Sequence, residues 1–131
     1  MANRFLLDTH VFIWWIIDNP RLPEKVRTIM RSRENELYLS AASSWELIIK
    51  AQLGKIQLPE DAESFILNEL RQNAIQPLPI SIHHTLRAAA LSPHHKDPFD
   101  RMLVGQALCD NLTILSGDHM LQKYEAQVFW S

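Results

Sequence analysis

Short apolar runs with strand character alternate along the chain with longer segments in which apolar residues recur at helical spacing. The predicted strands are 5–8, 37–39, 75–80, 112–115 and 127–130. The predicted helices are 11–18, 23–34, a segment from Ser43 or Ser44 to Gly54, 59–70, 82–91 and 97–110, with a short one after Asp118. Strands that alternate with helices need crossover connections, which predict a parallel sheet covered on both faces. The fold class is therefore α/β.

Two of the apolar segments carry further information. Pro77 and Pro79 lack backbone N–H donors, so the third strand is confined to a sheet edge or a short connection. The segment 11–17 is apolar on every side of a helix, whereas a helix packed on a sheet buries only one stripe. Neighbouring helices could cover the rest. A protein partner is the alternative, either an amphipathic helix of another protein or a second copy of the chain, with Trp14 or Trp15 as the anchor.

Length and composition predict an ordinary globular protein. The 131 residues are 47% hydrophobic and 21% charged, which predicts a single domain over 1–131. The lone Cys109 excludes an intrachain disulfide and lies in a helical apolar pattern, where we expect a buried small hydrophobe. The start of the chain resembles no secretion signal, and the run 11–17 is too short to span a bilayer. These features predict a cytoplasmic protein that is not in the membrane.

The net charge of −2 argues against a module that binds nucleic acid through its own positive charge. Four acidic residues change this picture. Asp8 and Asp118 each follow a predicted strand, Glu46 lies in the third predicted helix, and Asp100 opens the sixth. Acids at the carboxyl ends of parallel strands can converge at one edge of the sheet, although they are far apart in sequence. A carboxylate cluster suits Mg²⁺ or Mn²⁺, which would supply positive charge for a phosphate.

Each acid also has a purely structural explanation. Asp8 and Asp118 can cap the helices that follow them. Glu46 stands four residues before Lys50, an arrangement that favours an exposed ion pair on a helix. However, Glu46 emerges from a largely apolar stretch, where a carboxylate needs a partner, and either a metal or Lys50 would serve.

Two acids compete for roles at the start of the sixth predicted helix. Asp97 precedes Pro98, a pattern typical of a helix cap followed by proline at the first helical position. We assign Asp97 to capping and Asp100 to the metal, because only Asp100 lies within the helical part. Arg101 could pair with either acid or contact phosphate, and the sequence leaves both open.

Adjacent histidines occur twice, at His83-His84 and His94-His95. Neighbouring side chains point in different directions on a helix or strand, and no His-x-x-x-His spacing is present. We therefore expect loop or surface histidines rather than a zinc site.

Four segments together resemble the PIN-domain family, and within it the VapC-like toxins of bacterial toxin-antitoxin pairs. They are Leu7-Asp8-Thr9-His10, Ser43-Ser44-Trp45-Glu46, His95-Lys96-Asp97-Pro98-Phe99-Asp100-Arg101 and Leu115-Ser116-Gly117-Asp118. The resemblance covers essentially the whole chain, and its specificity lies in the order and spacing of the segments.

The resemblance implies a three-layer α/β/α PIN-like domain with a five-stranded parallel sheet. It further implies a Mg²⁺- or Mn²⁺-dependent endoribonuclease, the toxin of a toxin-antitoxin pair, with RNA as substrate, a cognate antitoxin and a homodimer as partners. Asp8, Glu46, Asp100 and Asp118 match the acidic quartet of the family. Ser116 matches the hydroxyl residue that supports the first acid, where the family often has Thr, and Asp97 is an acid that many relatives lack. Lys50 and Arg101 are candidate supporting residues.

Other functions fit part of the pattern. A PIN-fold nuclease could act in RNA processing without an antitoxin. A phosphate-accepting receiver domain also gathers acids at strand ends, but it should carry a Lys after a late strand, where this chain has Ser116-Gly117-Asp118. A non-catalytic binding module would keep its function after the acids are replaced.

Overall fold

The computed structural model describes residues 3–93 and 96–131, and within them the strands form one sheet. They are β1 (Arg4–Leu7), β2 (Glu36–Ser40), β3 (Ile75–Leu78), β4 (Thr113–Leu115) and β5 (Val128–Phe129). The order across the five-stranded sheet is β3-β2-β1-β4-β5, and every described pairing is parallel. Leu7 is paired with Leu39 on one side and Leu115 on the other, so the carboxyl ends of the three central strands are level.

Helices connect the strands. They are α1 (Thr9–Ile16), α2 (Glu24–Arg31), α3 (Ala41–Gln52), α4 (Ala62–Gln72), α5 (Ile82–Ala89), α6 (Pro98–Asp110) and a short 3₁₀ helix (His119–Lys123). Several begin at a side chain that accepts a hydrogen bond from a backbone N–H of the first turn, which satisfies a donor that the helix itself leaves unpaired. These capping residues are Asp8, Ser40, Asp61, Ser81, Asp97 and Asp118.

The sheet is covered on both faces, because successive strand residues point in opposite directions. On β1, Phe5 and Leu7 belong to a core shared with α1, α2, α3 and α4. Leu6 points the other way, into a second core that includes Leu103 and Val104 of α6. The predicted three-layer α/β/α fold with a five-stranded parallel sheet is therefore confirmed.

The proline-containing strand lies at the sheet edge, one of the two positions that the sequence allowed. β3 pairs only with β2 among the described strands, and Pro77 stands opposite Leu39 in that pairing. A strand with an unpaired side tolerates a residue that cannot donate a hydrogen bond.

Three local predictions were wrong. Ser40, not Ser43 or Ser44, caps α3, since its hydroxyl accepts from the Ala42 N–H at 3.0 Å. The helix therefore starts directly at the end of β2. Cys109 is exposed rather than buried, and its thiol faces the His83 carbonyl at 3.7 Å. His84 is buried rather than at the surface.

The burial of His84 has a clear cause in the packing of α5 on α6. Its Nδ1 accepts from the Ser81 N–H at 3.0 Å, and its Nε2 lies 2.9 Å from Oδ2 of Asp110. The imidazole therefore closes the cap of α5 and links it to the end of α6. His94 and His95 lie outside the described residues.

The apolar helix α1 is covered largely by its own domain. Val11 and Phe12 are completely buried, while Trp14 and Trp15 are half-buried and pack against the first core. The indole N–H of Trp15 donates to Oδ1 of Asn73 at 2.9 Å. Among the residues that the structure describes, no helix is long and apolar enough to cross a membrane.

Candidate metal-binding site

The first candidate ligand, Asp8, lies directly after β1 and caps α1. It is 5% exposed, and its Oδ1 accepts the Thr9 N–H at 2.7 Å. Its Oδ2 accepts the hydroxyl of Ser116, which follows β4, at 2.6 Å. One hydrogen bond therefore joins the residues that directly follow β1 and β4.

Ser116 connects Asp8 to Asp118. The Ser116 hydroxyl is fully buried, and its oxygen also accepts the Asp118 N–H at 3.0 Å. Asp118 then caps the 3₁₀ helix through a 2.9 Å hydrogen bond from the Met120 N–H to its Oδ1. Both strand-end acids therefore have the capping role that the sequence allowed, and they are also joined through one hydroxyl group.

Glu46 approaches the same edge from α3. The Thr9 hydroxyl donates to its Oε1 at 2.6 Å, and the Lys50 ammonium lies 3.2 Å from its Oε2. The ion pair that the spacing allowed is present, but the Glu46 side chain is mostly buried and only Lys50 is about half exposed. Glu46 therefore has both a link towards Asp8 through Thr9 and a cation as its partner.

Electrostatics favour a cation beside Asp8. Burial raises the pKa of its carboxyl above the ordinary 3.8, and the negative charge of Glu46 raises it further. His10 and the hydrogen bonds from Ser116 and Thr9 act in the opposite direction but do not cancel the effect of burial. The ionised carboxylate is thus held in an unfavourable environment, which a bound positive charge would relieve.

His10 lies between the two strand ends. Its Nδ1 is 3.4 Å from Oδ2 of Asp8, and its Nε2 accepts the Gly117 N–H at 3.4 Å. Because Nε2 accepts, the ring proton of the neutral form belongs on Nδ1, facing the carboxylate. Contacts with Asp8 after β1 and with Gly117 after β4 therefore orient the imidazole ring.

The start of α6 places Asp97 and Asp100 differently. Asp97 caps the helix, accepting the Phe99 N–H at 2.9 Å, whereas Asp100 lies half-buried in the first turn. The rings of Trp45 and Phe99 meet edge to face with centroids 5.7 Å apart, so this turn lies beside the Glu46 helix. The capping role predicted for Asp97 is confirmed.

Arg101 contacts the end of α5 and the residues that directly follow it. Its guanidinium donates to the carbonyl oxygens of Ala88 at 3.0 Å and Leu91 at 3.1 Å, and to that of Ser92 at 3.3 Å. These contacts support the C-terminal end of α5.

Within residues 3–93 and 96–131, no three His, Cys, Asp or Glu side chains are close enough together to form a metal-ligand group. The chemistry of the acidic residues nevertheless fits Mg²⁺ or Mn²⁺, because all are oxygen donors and a buried carboxylate of raised pKa lies among them. Assignment of Asp8, Glu46, Asp100 and Asp118 as ligands stays a prediction.

The sequence alone gave Thr9 and His10 no role at the metal site. Both stand in the segment Leu7-Asp8-Thr9-His10, in which Asp8 was the candidate ligand. A hydroxyl and an imidazole directly after a strand-end Asp are signals that could have identified them. Trp130, which contacts His10 at a ring-centroid distance of 5.8 Å, carried no such signal because it is distant in sequence.

Comparison with known proteins gives a consistent result. The sequence profile of the PIN domain matches residues 5–127. Ribonuclease VapC16 of Mycobacterium tuberculosis is 36% identical over 80 residues, a match that covers 57% of this chain and 57% of that protein. The aligned segment therefore spans a little over half the length of this relative.

Solved structures share the fold at low sequence identity. VapBC2 from Rickettsia felis, bound to a DNA fragment from its promoter, superposes with a TM-score of 0.72 at 14% identity, covering 98% of this chain and 99% of that one. FitAcB from Neisseria gonorrhoeae gives 0.63 at 21% identity, with 95% and 96% covered. DNA-bound VapBC from Salmonella typhimurium gives 0.66 at 17% identity, with 98% of both chains covered.

Proposed function

Because the chain belongs to the PIN domain family, we propose that it hydrolyses phosphodiester bonds of RNA with Mg²⁺ or Mn²⁺ held by Asp8, Glu46, Asp100 and Asp118. The proposal is supported by the name of its relative, a ribonuclease of the VapC group. The observation that carries it is the hydrogen-bonded link from Asp8 through Ser116 to Asp118 at the carboxyl edge of the sheet.

Residues around the acids fix their positions. Ser116 holds Oδ2 of Asp8 and the backbone of Asp118, so a shift of either strand end would break a buried hydrogen bond. Thr9 donates to Oε1 of Glu46 and lies next to Asp8 in the chain, so it links α3 to the end of β1. Such supporting contacts orient ligating carboxylates.

A bound divalent cation would lower the pKa of a water molecule and neutralise charge on the phosphate. Lys50 is placed to assist, because its half-exposed ammonium lies at the rim beside Glu46, where a phosphate can approach it. Arg101 contributes indirectly. It is next to Asp100 in α6, and its hydrogen bonds to the carbonyl oxygens of Ala88 and Leu91 hold this turn of α6 against the end of α5. No nucleophilic side chain is needed.

The test is cleavage of end-labelled single-stranded RNA in Mg²⁺, in Mn²⁺ and after chelation with EDTA. Asp8→Asn, Glu46→Gln, Asp100→Asn and Asp118→Asn should each lower the rate by about 100-fold or more, since each keeps the shape and removes a charge. Glu125→Gln is the matched control, because Glu125 is exposed and pairs only loosely with Arg87 at 3.9 Å. Equal cleavage by metal-free protein, or full activity in all four variants, would contradict the proposal.

We also propose that the protein acts as a toxin with a cognate antitoxin, and as a homodimer. The solved structures that share its fold include VapBC complexes and one described as a toxin-antitoxin complex from Klebsiella pneumoniae. Expression alone should arrest bacterial growth, and co-expression of a small neighbouring reading frame should restore it. A nuclease of RNA processing without an antitoxin would show no such rescue, and light scattering at micromolar concentration would test the dimer.

A further inference from the structure

A pocket of about 400 Å³ opens beside the acidic site. It lies where α1, the turn after β4 and the end of the chain after β5 come together. Its lining residues are His10, Trp14, Arg21, Gly117, Asp118 and Trp130. The volume falls within the range of small-ligand sites, and the walls combine flat aromatic faces with charged groups at the edge.

Three aromatic rings define the shape of the pocket. The His10 and Trp14 rings meet edge to face at 5.0 Å, and the Trp14 and Trp130 rings are 6.1 Å apart at 50°. Neither Trp is fully buried, so both offer ring surface to a ligand. The Arg21 guanidinium lies 5.9 Å from the centre of the Trp14 ring and is exposed.

Gly117 allows Trp130 to close over the strand end. A Cβ atom at position 117 would stand 2.8 Å from Cε2 of the indole, closer than real Cβ atoms approach, and 3.0 Å from Cζ2. The ring therefore lies on the bare backbone between Ser116 and Asp118. Any larger residue at this position would displace the indole.

The pocket and the acidic site share residues. Asp118 lines the pocket and is hydrogen-bonded to Ser116, while His10 contacts both Trp rings and lies 3.4 Å from Oδ2 of Asp8. A flat group stacked on the exposed ring surface of this pocket would therefore lie next to a phosphate at the carboxylates.

We propose that this pocket holds one unpaired nucleobase of the RNA strand, immediately next to the phosphodiester bond that is cleaved. The proposal rests on the proposed ribonuclease function and adds a base-stacking subsite to it. Stacking on aromatic faces suits single-stranded nucleic acid because every base has a flat π-face. The exposed Arg21 at the rim supplies positive charge for the flanking phosphate.

The experiment measures binding separately from cleavage. A short labelled single-stranded RNA is titrated by fluorescence anisotropy in Mg²⁺ against protein carrying Asp100→Asn, so that turnover does not deplete the ligand. In this background Trp130→Ala should weaken binding about 10-fold or more, the effect expected for loss of one stacked base. Trp130→Phe should restore most of the affinity, because it retains an aromatic face. Trp15→Phe is the matched control, since Trp15 contacts Asn73 outside the pocket.

A second series changes the RNA instead of the protein. An abasic sugar is placed at each position in turn, and one position should cost the parent protein about 10-fold in affinity while costing the Trp130→Ala variant nothing. The pocket assignment is overturned if no abasic position matters, or if both proteins lose the same affinity. The first of these outcomes is measured on the parent protein alone, so the subsite can be excluded even if the Trp130→Ala variant does not fold.

Comparison of binding with cleavage distinguishes failure of the pocket proposal from failure of the ribonuclease proposal. Protein without the Asp100 substitution is assayed for cleavage of the same RNA in parallel. RNA that is cleaved but bound without any dependence on Trp130 would refute the pocket alone. RNA that is bound through Trp130 but never cleaved would support the pocket and refute the nuclease.

Discussion

The Ser116 hydroxyl donates a 2.6 Å hydrogen bond to Oδ2 of Asp8, a residue 108 positions earlier in the chain. The same oxygen accepts the N–H of Asp118, so one buried hydroxyl group sets the positions of two candidate metal ligands. This hydrogen bond joins the ends of β1 and β4. In the strand order, β2 and β3 follow on one side of β1, whereas β4 and β5 lie on its other side, so the order reverses between β1 and β4. Open α/β sheets bind their ligands at such a point.

Ser116→Ala should lower RNA cleavage by about 10-fold or more, because loss of a group that orients ligating carboxylates has effects of this size. It should also destabilise the protein by about 1 kcal/mol, the typical net value of a hydrogen bond. Ser116→Thr keeps the hydroxyl and should retain most of the activity. Cleavage rates and urea unfolding measure the two effects, and unchanged activity in Ser116→Ala would show that the hydrogen bond has only a structural role.

Asp8 should make the metal-free protein less stable as the pH rises. Its folded-state pKa is raised above 3.8, mainly by burial, so the folded protein holds the proton more tightly than the unfolded chain does. Stability then falls between the unfolded and the folded pKa, because in that range the folded state binds more protons. Asp8→Asn has no proton to lose and should be the more stable protein at pH 7 in EDTA.

The control for this measurement is Asp61→Asn. The pKa of Asp61 is lowered, chiefly by the hydrogen bond from the Ser64 N–H, so the pH dependence of its contribution has the opposite sign. Thermal unfolding in EDTA from pH 3 to pH 8 compares the wild type with both variants. A wild-type protein that stays as stable as Asp8→Asn across the range would contradict the assignment of a destabilised carboxylate.

Substitutions of Asp97 and Asp100, at the start of α6, should affect different properties of the protein. Asp97→Ala removes the N-cap and should cost about 1 kcal/mol of stability with little change in cleavage. Asp100→Asn should do the reverse, with cleavage reduced by about 100-fold and unfolding nearly unchanged. If cleavage is lost in a folded Asp97 variant and kept in Asp100→Asn, the metal ligand has been assigned to the wrong acid.

Trp15 should contribute to the stability of the domain rather than to the binding of a partner. Its ring packs on the first core and its indole N–H donates to Asn73, so Trp15→Ala should destabilise the protein by about 2 kcal/mol or more. Dimerisation and antitoxin binding, measured at a temperature where the variant is folded, should be unchanged. A stable variant that has lost its partner would place Trp15 in an interface instead.

Patterns within short stretches of sequence were sufficient for the architecture. Alternation of strands with helices predicted the parallel sheet, and Pro77 and Pro79 excluded a central position for β3. Asp97 before Pro98 predicted a cap. These features depend on backbone donors, side-chain periodicity and local hydrogen bonds, which are properties of neighbouring residues.

Local patterns failed where a residue's surroundings come from elsewhere in the chain. His84 is buried because Asp110 of α6 lies beside its ring, and Cys109 is exposed because its side of α6 faces away from the second core. The helical pattern around each was correct. Burial depends on which element packs against a helix, and this information is not local.

The sequence by itself determined which acids stand at strand ends and helix starts, since the positions of strands and the chemistry of helix caps depend on adjacent residues. Only the tertiary structure decided what surrounds them: the Ser116 link between Asp8 and Asp118, the Thr9 bond to Glu46, and the pocket closed by Trp130. These contacts join segments that are far apart in the chain, and they form only when the parallel sheet brings its carboxyl ends to one edge. Side-chain geometry at that edge depends on packing rather than on spacing in the sequence.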